Sequence, residues 1–535
     1  MVFMKIKIVL CAILSCILMV GLLSACAPDA DTNVAPVTEQ APAGQVPPPV
    51  TAPDTAQPQE PVSGRGVTLA IQAETPTVAP ARHTALIGTF KNDLTHNGLF
   101  RIHYDTLEPI PDLVADWTAL SDTQFEFKLH EGIMFHNMEE MTAYDIVASM
   151  FYVRTYPYAR TWHGSVVDAW VVDRYTFVLD TGEPNALLFF ELAHQANYIM
   201  PMSLIEAGHD FALDPVGSGS FVFSDWSLGD SLTFTRFDYY FDAARTANID
   251  YVHWRIIPEG ASRTIALETG EVDYIVEVAF PDIPRLRDNP NITVFERPGL
   301  TYIYLLLNNE MPQFENIYVR HAIDMAIDKE AVVSAAVDGF GMPIWQSTPP
   351  AFAGSSTVGT RSFDPEAAMA LLAREGIDPA ELTFDMLVYS EEHRRRAEVV
   401  QSNLADLGIT TTITMIDFAA WLSTAGTTDA AFGAFTANNL LTFMRSTMHV
   451  DSIPAPNRSR ITNMELSGLI EQAIATVDSG ARVAVLEEAT RVSNEHSGFI
   501  PLHMNMLIRA FDSNLVAPEI AAGGAMHLNM VYWAQ

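Results

Sequence analysis

The sequence predicts a mixed α/β protein, and three observations support this fold class. Segments that alternate apolar and polar side chains, as half-buried strands do, occur at 124–129 and 231–237. Segments with helical periodicity lie between such strands, and capping residues mark several of their ends. Hydrophobic residues make up 49% of the 535 residues, so the chain can bury large cores. Strands that alternate with helices of about 10–15 residues are typical of α/β units.

A strand and a helix with clear signals follow one another early in the chain. Residues 124–129 read Gln-Phe-Glu-Phe-Lys-Leu, which places three apolar side chains on one face of a strand. Thr142 lies three residues before Asp145, and a largely apolar run follows at 146–151. A threonine with an acid three residues later is a capping box, so we expect a helix to begin there.

Later segments continue this alternation. Asp364 followed by Pro365 is an N-cap with proline at the first helical position. A helix at 394–407 is expected to end at Gly408, and the strand 409–415 follows it. The other predicted elements are a helix at 262–267, a strand at 273–278 and one long helix whose apolar face contains Val319, Ile323, Ile327, Val333 and Val337.

The N-terminus has the layout of an export signal. Lys5 and Lys7 precede an uncharged apolar run that ends in Leu23-Ser24-Ala25-Cys26. That ending resembles the lipobox of bacterial lipoproteins, in which the cysteine is lipidated and becomes the new N-terminus. We therefore expect a signal peptide at 1–25, lipidation of Cys26, and a body outside the cytoplasm, on the outer face of the cytoplasmic membrane or in the periplasm. An uncleaved single-span anchor is the alternative, and it also places the body outside.

Residues 26–65 are predicted to form a disordered tether. Residues 27–64 hold nine prolines and no aromatic residue, so they cannot bury enough surface to offset their chain entropy. At ~3.1 Å per residue, a proline-rich segment of this length reaches on the order of 100 Å. The tether is expected to hold the body near a membrane as a simple spacer.

Composition and motifs argue against several function classes. The 65 acidic and 30 basic residues give a net charge of −35, which would repel nucleic acid. All three cysteines lie within residues 1–26, so the body has no thiol for a disulfide, a zinc site or a nucleophile. No phosphate-binding loop, His-Glu-x-x-His motif or nucleophile elbow occurs. We therefore expect no catalytic residues, no metal and no cofactor. His136 beside Glu139 and Glu140 is interpreted as a packed or surface histidine and not as a metal ligand.

Several stretches, in their order along the chain, resemble the signature segments of one family. They are 111–117, 131–136 with 142–145, 215–221, 267–273, 319–329 and 364–372. On these segments the chain resembles the bacterial extracellular solute-binding proteins of family 5, the oligopeptide and dipeptide class that serves ABC importers. The family's Phe-His-Asp-Gly is here Phe135-His136-Asn137-Met138, a departure expected to fall in a surface turn. The resemblance covers roughly residues 66–535.

The resemblance implies the two-lobed periplasmic-binding-protein fold, in its large form with an extra subdomain inserted in lobe I. Two strands join the lobes, and a ligand is enclosed between them. The implied boundaries are 66–298 with 500–535 for lobe I, about 106–215 for the inserted subdomain, 299–499 for lobe II, and hinge points near 297–299 and 499–501.

The resemblance also implies a transport receptor and not an enzyme. Its partners would be a peptide or other small solute, the permease and ATPase subunits of an ABC importer, and the membrane through its lipid anchor; we expect a monomer. Ligand contacts made by both lobes exist only in the closed state, so ligand shifts the balance between open and closed forms. A non-peptide solute and a peptide-sensing receptor remain as alternatives, and a secreted hydrolase is the less favoured third.

The predicted ligand-binding residues lie in lobe II. Peptide-binding members often carry an aspartate that pairs with the peptide's α-ammonium, and Asn438 stands at the matching position. A neutral amide cannot supply that charge-assisted hydrogen bond, so the resemblance leaves a free dipeptide and other solutes about equally favoured. Tyr389, Trp421 and Phe435 are candidate aromatic walls, with ordinary core aromatics as the alternative. Arg445 is a candidate for binding a carboxylate, with a solvated surface arginine as the alternative.

Overall fold

The structure is a computed structural model that describes residues 65–75, 77–80, 86–156, 165–436, 439–518 and 520–534. The predicted signal peptide, Cys26, the tether and Asn438 lie outside the described residues. Within the described ranges, no helix has both the length and the apolar composition needed to cross a membrane.

The described strands form one large sheet and three smaller ones. The strands are β1 (Val67–Ile71), β2 (Phe100–Ile102), β3 (Pro109–Pro111), β4 (Val114–Ala119), β5 (Gln124–Leu129), β6 (Asp168–Val171), β7 (Thr176–Asp180), β8 (Phe221–Ser227), β9 (Ser231–Arg236), β10 (Tyr251–Ile256), β11 (Tyr274–Ile275), β12 (Ile292–Leu307), β13 (Gly341–Pro343), β14 (Thr383–Val388), β15 (Thr410–Met415), β16 (Ala430–Phe435), β17 (Phe499–Asp512), β18 (Leu515–Val516) and β19 (Tyr532–Trp533).

Helices lie between these strands along most of the chain. The α-helices are α1 (Leu86–Thr95), α2 (Ala143–Val153), α3 (Leu188–Leu192), α4 (Met202–Glu206), α5 (Gly260–Glu268), α6 (Ile283–Arg287), α7 (Pro312–Glu315), α8 (Ile317–Ala326), α9 (Lys329–Val337), α10 (Pro365–Arg374), α11 (Glu391–Asp406), α12 (Phe418–Thr424), α13 (Leu440–Met448), α14 (Met464–Ala475) and α15 (Ser479–His496).

The large sheet has two halves that meet at two long strands. Its strand order is β15-β14-β16-β12-β17-β11-β1-β10-β9-β8, and β13 pairs with β17 off this path. We call the strands from β11 to β8 and the segments packed on them the first half. We call β14, β15 and β16 with α7 to α15 the second half. Strands β12 and β17 lie between the two halves and belong to both.

The two long strands pair antiparallel along most of their length. Residues 292–298 pair with 512–506, and residues 302–306 pair with 504–499. The register shifts between Pro298 and Tyr302, at the point where the ladder passes from the first half to the second. Before this point, β17 pairs with β11 through residues 510–511. Beyond it, β12 pairs with β16 through residues 302–307. Both halves are therefore held by one ladder of backbone hydrogen bonds.

Each half buries its own apolar residues. In the first half, Val67, Leu69 and Ile71 of β1 face one cluster and Ala70 faces another, as the two-residue period of a strand requires. In the second half, β12 alternates in the same way. Tyr302, Tyr304 and Leu306 face a cluster with α13 to α15, and the residues between them face a cluster with α8, α10 and α11.

A separate four-stranded sheet is formed by residues between 114 and 180. Its order is β4-β5-β7-β6, and α2 packs on it through a buried cluster that includes Phe125, Phe127 and Phe177. The capping box that begins α2 is present, because the Asp145 carboxylate accepts a hydrogen bond of 2.8 Å from the Thr142 backbone N–H. The alternating pattern at 124–129 is confirmed as β5.

Two predicted elements differ in the structure. The long helix expected through 319–337 is wrong, because Ile327 is extended and separates α8 from α9. Asp328 starts the second helix by accepting a 3.0 Å hydrogen bond from the Ala331 backbone N–H, and N-cap residues favour such a new start. The strand expected at 273–278 is ordered as a strand only over Tyr274–Ile275. The Asp364 N-cap before Pro365 is confirmed.

A buried ion pair lies beside the break between α8 and α9. The Lys329 ammonium is 2.9 Å from the Asp324 carboxylate, and the two side chains are 1% and 3% exposed. Burial lowers the pKa of Lys329, and the charge of Asp324 opposes this change. Arg361 lies farther from the same carboxylate, at 3.9 Å. Removal of Lys329 would leave the buried Asp324 with only this more distant counter-ion, and the loss of a buried ion-pair partner is strongly destabilising in proteins.

We predict that Lys329→Met lowers the free energy of unfolding by ~3 kcal/mol, because Asp324 loses its closest counter-ion and keeps only Arg361, at 3.9 Å. Urea denaturation followed by circular dichroism measures the change. The control is Glu398→Gln, which removes an exposed pair with Arg394 and should change the free energy by less than ~0.5 kcal/mol. The double variant Asp324→Leu with Lys329→Met should recover most of the loss; equal stability of Lys329→Met and the parent protein would contradict the prediction.

Candidate functional site

Three strands of the second half end at one edge of the sheet. Strand β14 is parallel to both β15 and β16, so the carboxyl ends of all three strands meet there. The residues that follow them are Tyr389, Ile416 and Thr436. We call this region the carboxyl edge. In open α/β sheets, ligands bind in the crevice outside the carboxyl ends of the strands, so the carboxyl edge is the candidate location of a ligand site.

A helix begins directly after each of these strands, and a side chain caps each start. The Ser390 hydroxyl accepts a hydrogen bond from His393 N–H, at 3.2 Å, to begin α11. The Asp417 carboxylate accepts from Ala420 N–H at 2.9 Å to begin α12, and the Asn439 side chain accepts from Thr442 N–H at 2.8 Å to begin α13. The amino ends of three helices therefore lie at the carboxyl edge, where their partial positive charge favours anionic groups.

Aromatic side chains pack against one another at the same edge. The ring centroids of Tyr389 and Trp421 are 4.9 Å apart, and those of Tyr389 and Phe418 are also 4.9 Å apart. Phe435 contacts Phe443 edge-on at 5.6 Å, and all of these residues belong to one apolar cluster. We call this group the aromatic cluster. It brings together the three aromatic residues that the sequence singled out, with Trp421 buried and Tyr389 and Phe435 half-buried.

Polar atoms within the aromatic cluster are removed from water. The Trp421 indole N–H and the Thr436 hydroxyl are buried and have no hydrogen-bond partner among the described residues. Burial raises the pKa of the Tyr389 phenol to about 12 and raises that of Tyr304 as well. Buried polar groups are normally hydrogen-bonded in proteins, so unpaired ones at a sheet edge suit a site that a polar ligand completes.

Arg458 is a residue at this edge that the sequence did not indicate. Its guanidinium carbon lies 5.2 Å from the centroid of the Trp421 ring, and the residue is 8% exposed. The residue lies in an irregular segment that also holds Pro454 and Pro456, without helical or strand periodicity. In the sequence, Arg458 is a charged residue in a loop and cannot be distinguished from an ordinary surface arginine.

Arg445 lies on α13, outside the aromatic cluster. Its side chain is exposed, and its backbone carbonyl accepts a 2.7 Å hydrogen bond from Ser452. Burial raises the pKa of Glu191 in the first half of the chain, while hydrogen bonds from Ser165 and the positive charge of Arg445 oppose the rise. Arg445 therefore lies within electrostatic reach of Glu191, which precedes residue 200 in the chain.

Segments before residue 200 reach the second half beside this site. The Ala186 backbone N–H donates a 2.9 Å hydrogen bond to the carbonyl of Ile474 on α14. Leu107, Ala186 and Leu187 are buried in the same apolar cluster as the aromatic residues. Burial raises the pKa of Glu108, and the charge of Arg482 on α15 opposes the rise. These contacts therefore join the segments before residue 200 to the second half, next to the carboxyl edge.

The described residues also bring together His449, Asp451 and Glu471, a group with metal-ligand chemistry. The His449 Nδ1 accepts a 3.2 Å hydrogen bond from the Asp451 backbone N–H, which leaves the proton of a neutral ring on Nε2. That nitrogen lies 3.3 Å from the Glu471 carboxylate, so a direct contact between histidine and carboxylate accounts for the group. The His136 Nε2 lies 3.0 Å from the Gly219 carbonyl.

Comparison with known proteins gives this geometry a family. The family described as "Bacterial extracellular solute-binding proteins, family 5 Middle" matches residues 108–450. Heme-binding protein A of Haemophilus influenzae is 24% identical over 447 residues, which cover 76% of this chain and 81% of that protein. Glutathione-binding protein GsiB of Salmonella paratyphi A is 23% identical over 449 residues, with 78% and 85% covered.

The fold has the same relationship to solved structures. The periplasmic binding protein DppA of Helicobacter pylori, solved with the peptide STSA, matches with a TM-score of 0.74 and 23% identity over 89% of this chain and 99% of that chain. This match confirms the predicted two-lobed periplasmic-binding fold. The family match spans more than half of the sequence and confirms a protein that binds its solute and does not transform it. The chain belongs to the bacterial extracellular solute-binding proteins of family 5.

Proposed function

We propose that this chain is an extracytoplasmic receptor that captures a solute between two lobes and delivers it to the permease of an ABC importer. The observation that carries the proposal is the ladder between β12 and β17, which joins two separately packed halves beside a carboxyl edge lined by aromatic residues. A ligand held by residues from both halves stabilises the closed arrangement, because those contacts do not exist when the halves separate.

A peptide is the leading ligand class in this proposal. Support comes from the peptide complex of the structurally similar DppA. The aromatic cluster also supports it, because aromatic rings can pack against the varied side chains of a bound peptide. The similarity to heme-binding protein A and to glutathione-binding protein GsiB favours a non-peptide or modified peptide solute as the second candidate. In either case Tyr389, Trp421 and Phe435 are the proposed walls of the site, with Asn438 and Arg445 as further candidate contacts.

The lobe boundaries are part of the proposal. Lobe I is 66–298 with 500–535, lobe II is 299–499, and the inserted subdomain lies at about 106–215. The register shift between Pro298 and Tyr302 faces Met504 to Met506 of the partner strand, and a break in a ladder is a suitable place for bending. Residues 499–501 pair with 304–306, within the second half, so we place the bending point of β17 nearer residue 505.

Export and anchoring complete the proposal. The chain would be lipidated at Cys26, held by a proline-rich tether and active as a monomer beside permease and ATPase subunits. A peptide-sensing receptor would use the same ligand site, and its partner would be a membrane kinase instead of a permease.

The main test is ligand-dependent closure. We predict that a binding peptide or glutathione lowers the radius of gyration in small-angle scattering, because contacts from both lobes form on closure. The ligand should also add ~2.7 kcal/mol of stability at 100 times its Kd. Mass spectrometry of the recovered ligand is the control for hydrolysis. An unchanged radius with every peptide and with glutathione, or cleavage of the ligand over time, would contradict the proposal.

The contact between the two sides gives a second test. We predict that Leu187→Asp opens the molecule and weakens ligand binding by ~10-fold or more, because a carboxylate cannot remain buried in the apolar cluster without a partner. Scattering and calorimetry measure the two effects. Leu213→Asp is the matched control, since that leucine is 67% exposed. Tight binding and an unchanged radius in Leu187→Asp would show that this contact does not hold the closed form.

The proposed anchor gives a third test. We predict that Cys26→Ala moves the protein from the membrane fraction to the soluble extracytoplasmic fraction, because a single lipidated cysteine would be its attachment. Cell fractionation with mass spectrometry of the mature N-terminus measures this. Cys16→Ala is the control and should remain attached. Persistence of the Cys26→Ala protein in washed membranes would favour an uncleaved anchor.

A further inference from the structure

A buried cation stands at the carboxyl edge of the second half. Arg458 is 8% exposed, and its guanidinium carbon lies 5.2 Å from the Trp421 ring centroid, within the range of a cation–π contact. The whole chain carries a net charge of −35, so this arginine is a local reversal of charge at the proposed site. A charge held out of water in this way interacts more strongly with a nearby counter-ion than one on the surface does.

Three groups that interact with Arg458, the side chains of Trp421, Tyr304 and Tyr389, are neutral hydrogen-bond donors. Its charge acts on the phenols of Tyr304 and Tyr389, whose pKa values burial raises, so both phenols are neutral at pH 7. The Trp421 indole N–H is buried and has no acceptor among the residues that the structure describes. The capped amino end of the nine-residue helix α13 lies at the same edge. These groups offer protons and positive potential, and they call for an acceptor with negative charge.

Two carboxylates at the carboxyl edge, Glu392 and Asp417, have contacts of their own. Glu392, whose charge acts on Tyr389, accepts a 3.3 Å hydrogen bond from Arg396. Asp417 is used to cap α12. A guanidinium has five N–H donors, so Arg458 can bind a carboxylate in addition to the contacts that it already makes. Arginine also matches the two oxygens of a carboxylate with two parallel hydrogen bonds.

We propose that Arg458 binds a carboxylate of the solute and that the site therefore selects anionic, carboxylate-bearing ligands. The inference rests on the proposed solute-binding function and names the ligand chemistry of that site. Trp421 supports the same group with its indole N–H and with the face of its ring. Arg445 is placed differently, since it is exposed and near Glu191.

The test compares each probe with its carboxyl-terminal amide. The probes are the tetrapeptide Ser-Thr-Ser-Ala and glutathione, each measured by calorimetry as the free acid and as the amide, with both carboxyl groups of glutathione converted to amides. The parent protein should bind at least one free acid ~10- to 100-fold more tightly than its amide, because hydrogen bonds to charged groups contribute that much. In Arg458→Gln, acid and amide should bind with the same affinity, close to that of the amide on the parent protein.

Two further variants separate charge recognition from folding. Arg458→Lys keeps the charge and should retain part of the preference for the acid. Arg374→Gln removes an exposed arginine of the second half, with the same change in net charge, and should leave the preference unchanged. Circular dichroism checks the fold of each variant, and the acid-to-amide ratio of the parent protein decides the matter if Arg458→Gln does not fold.

The outcomes distinguish this inference from the proposed function. Binding of a probe with equal affinity for acid and amide would overturn the role of Arg458 and leave the solute receptor intact. An acid preference that survives in well-folded Arg458→Gln would also overturn it. If neither acid nor amide of either probe binds, the proposed function as a receptor for these solutes fails, and the inference fails with it.

Discussion

The antiparallel ladder between β12 and β17 is the constraint on which the rest of the molecule depends. In the described part of the chain, the strand order passes from one half of the large sheet to the other through this pair. Each half adds its remaining strands to one member of the pair and packs its own helices on both faces. Backbone hydrogen bonds hold the ladder, and the side chains above and below it belong to separate cores. Such an arrangement permits bending at the register shift without the loss of either core.

The register of this ladder also positions the site. Tyr302, Tyr304 and Leu306 point into the aromatic side of the second half because side chains alternate along a strand, and the intervening residues point to the opposite core. A slip of one residue would exchange the two sets and remove Tyr304 from the group around Arg458. The same ladder therefore decides both how the halves are joined and which phenols meet the buried arginine.

Local chemistry explains which features the sequence could predict. Two helix starts could be predicted because their capping residues act within one helical turn and are close in sequence. They are Thr142 with Asp145, and Asp364 with Pro365. The apolar periodicity through 319–337 continues across the break at Ile327, so it predicts one helix. In the structure, Asp328 accepts a hydrogen bond from the Ala331 N–H and starts a second helix there. Tyr389 and Trp421 were predictable as aromatic candidates for the walls of a cleft. Arg458 was not, because its neighbours Trp421 and Tyr304 are distant in sequence and its loop has no period that would orient it.

A buried arginine at this position would couple recognition to closure. In an open molecule the carboxylate of a solute and the guanidinium of Arg458 both face water, and their attraction is weak. When Leu107, Ala186 and Leu187 cover the apolar cluster, water is removed and the same pair becomes stronger. A neutral solute gains nothing from that change, so it lacks this differential contact between the two states. Selection for charge would then arise in the closing step itself, and a solute that lacked a carboxylate would leave the lobes apart.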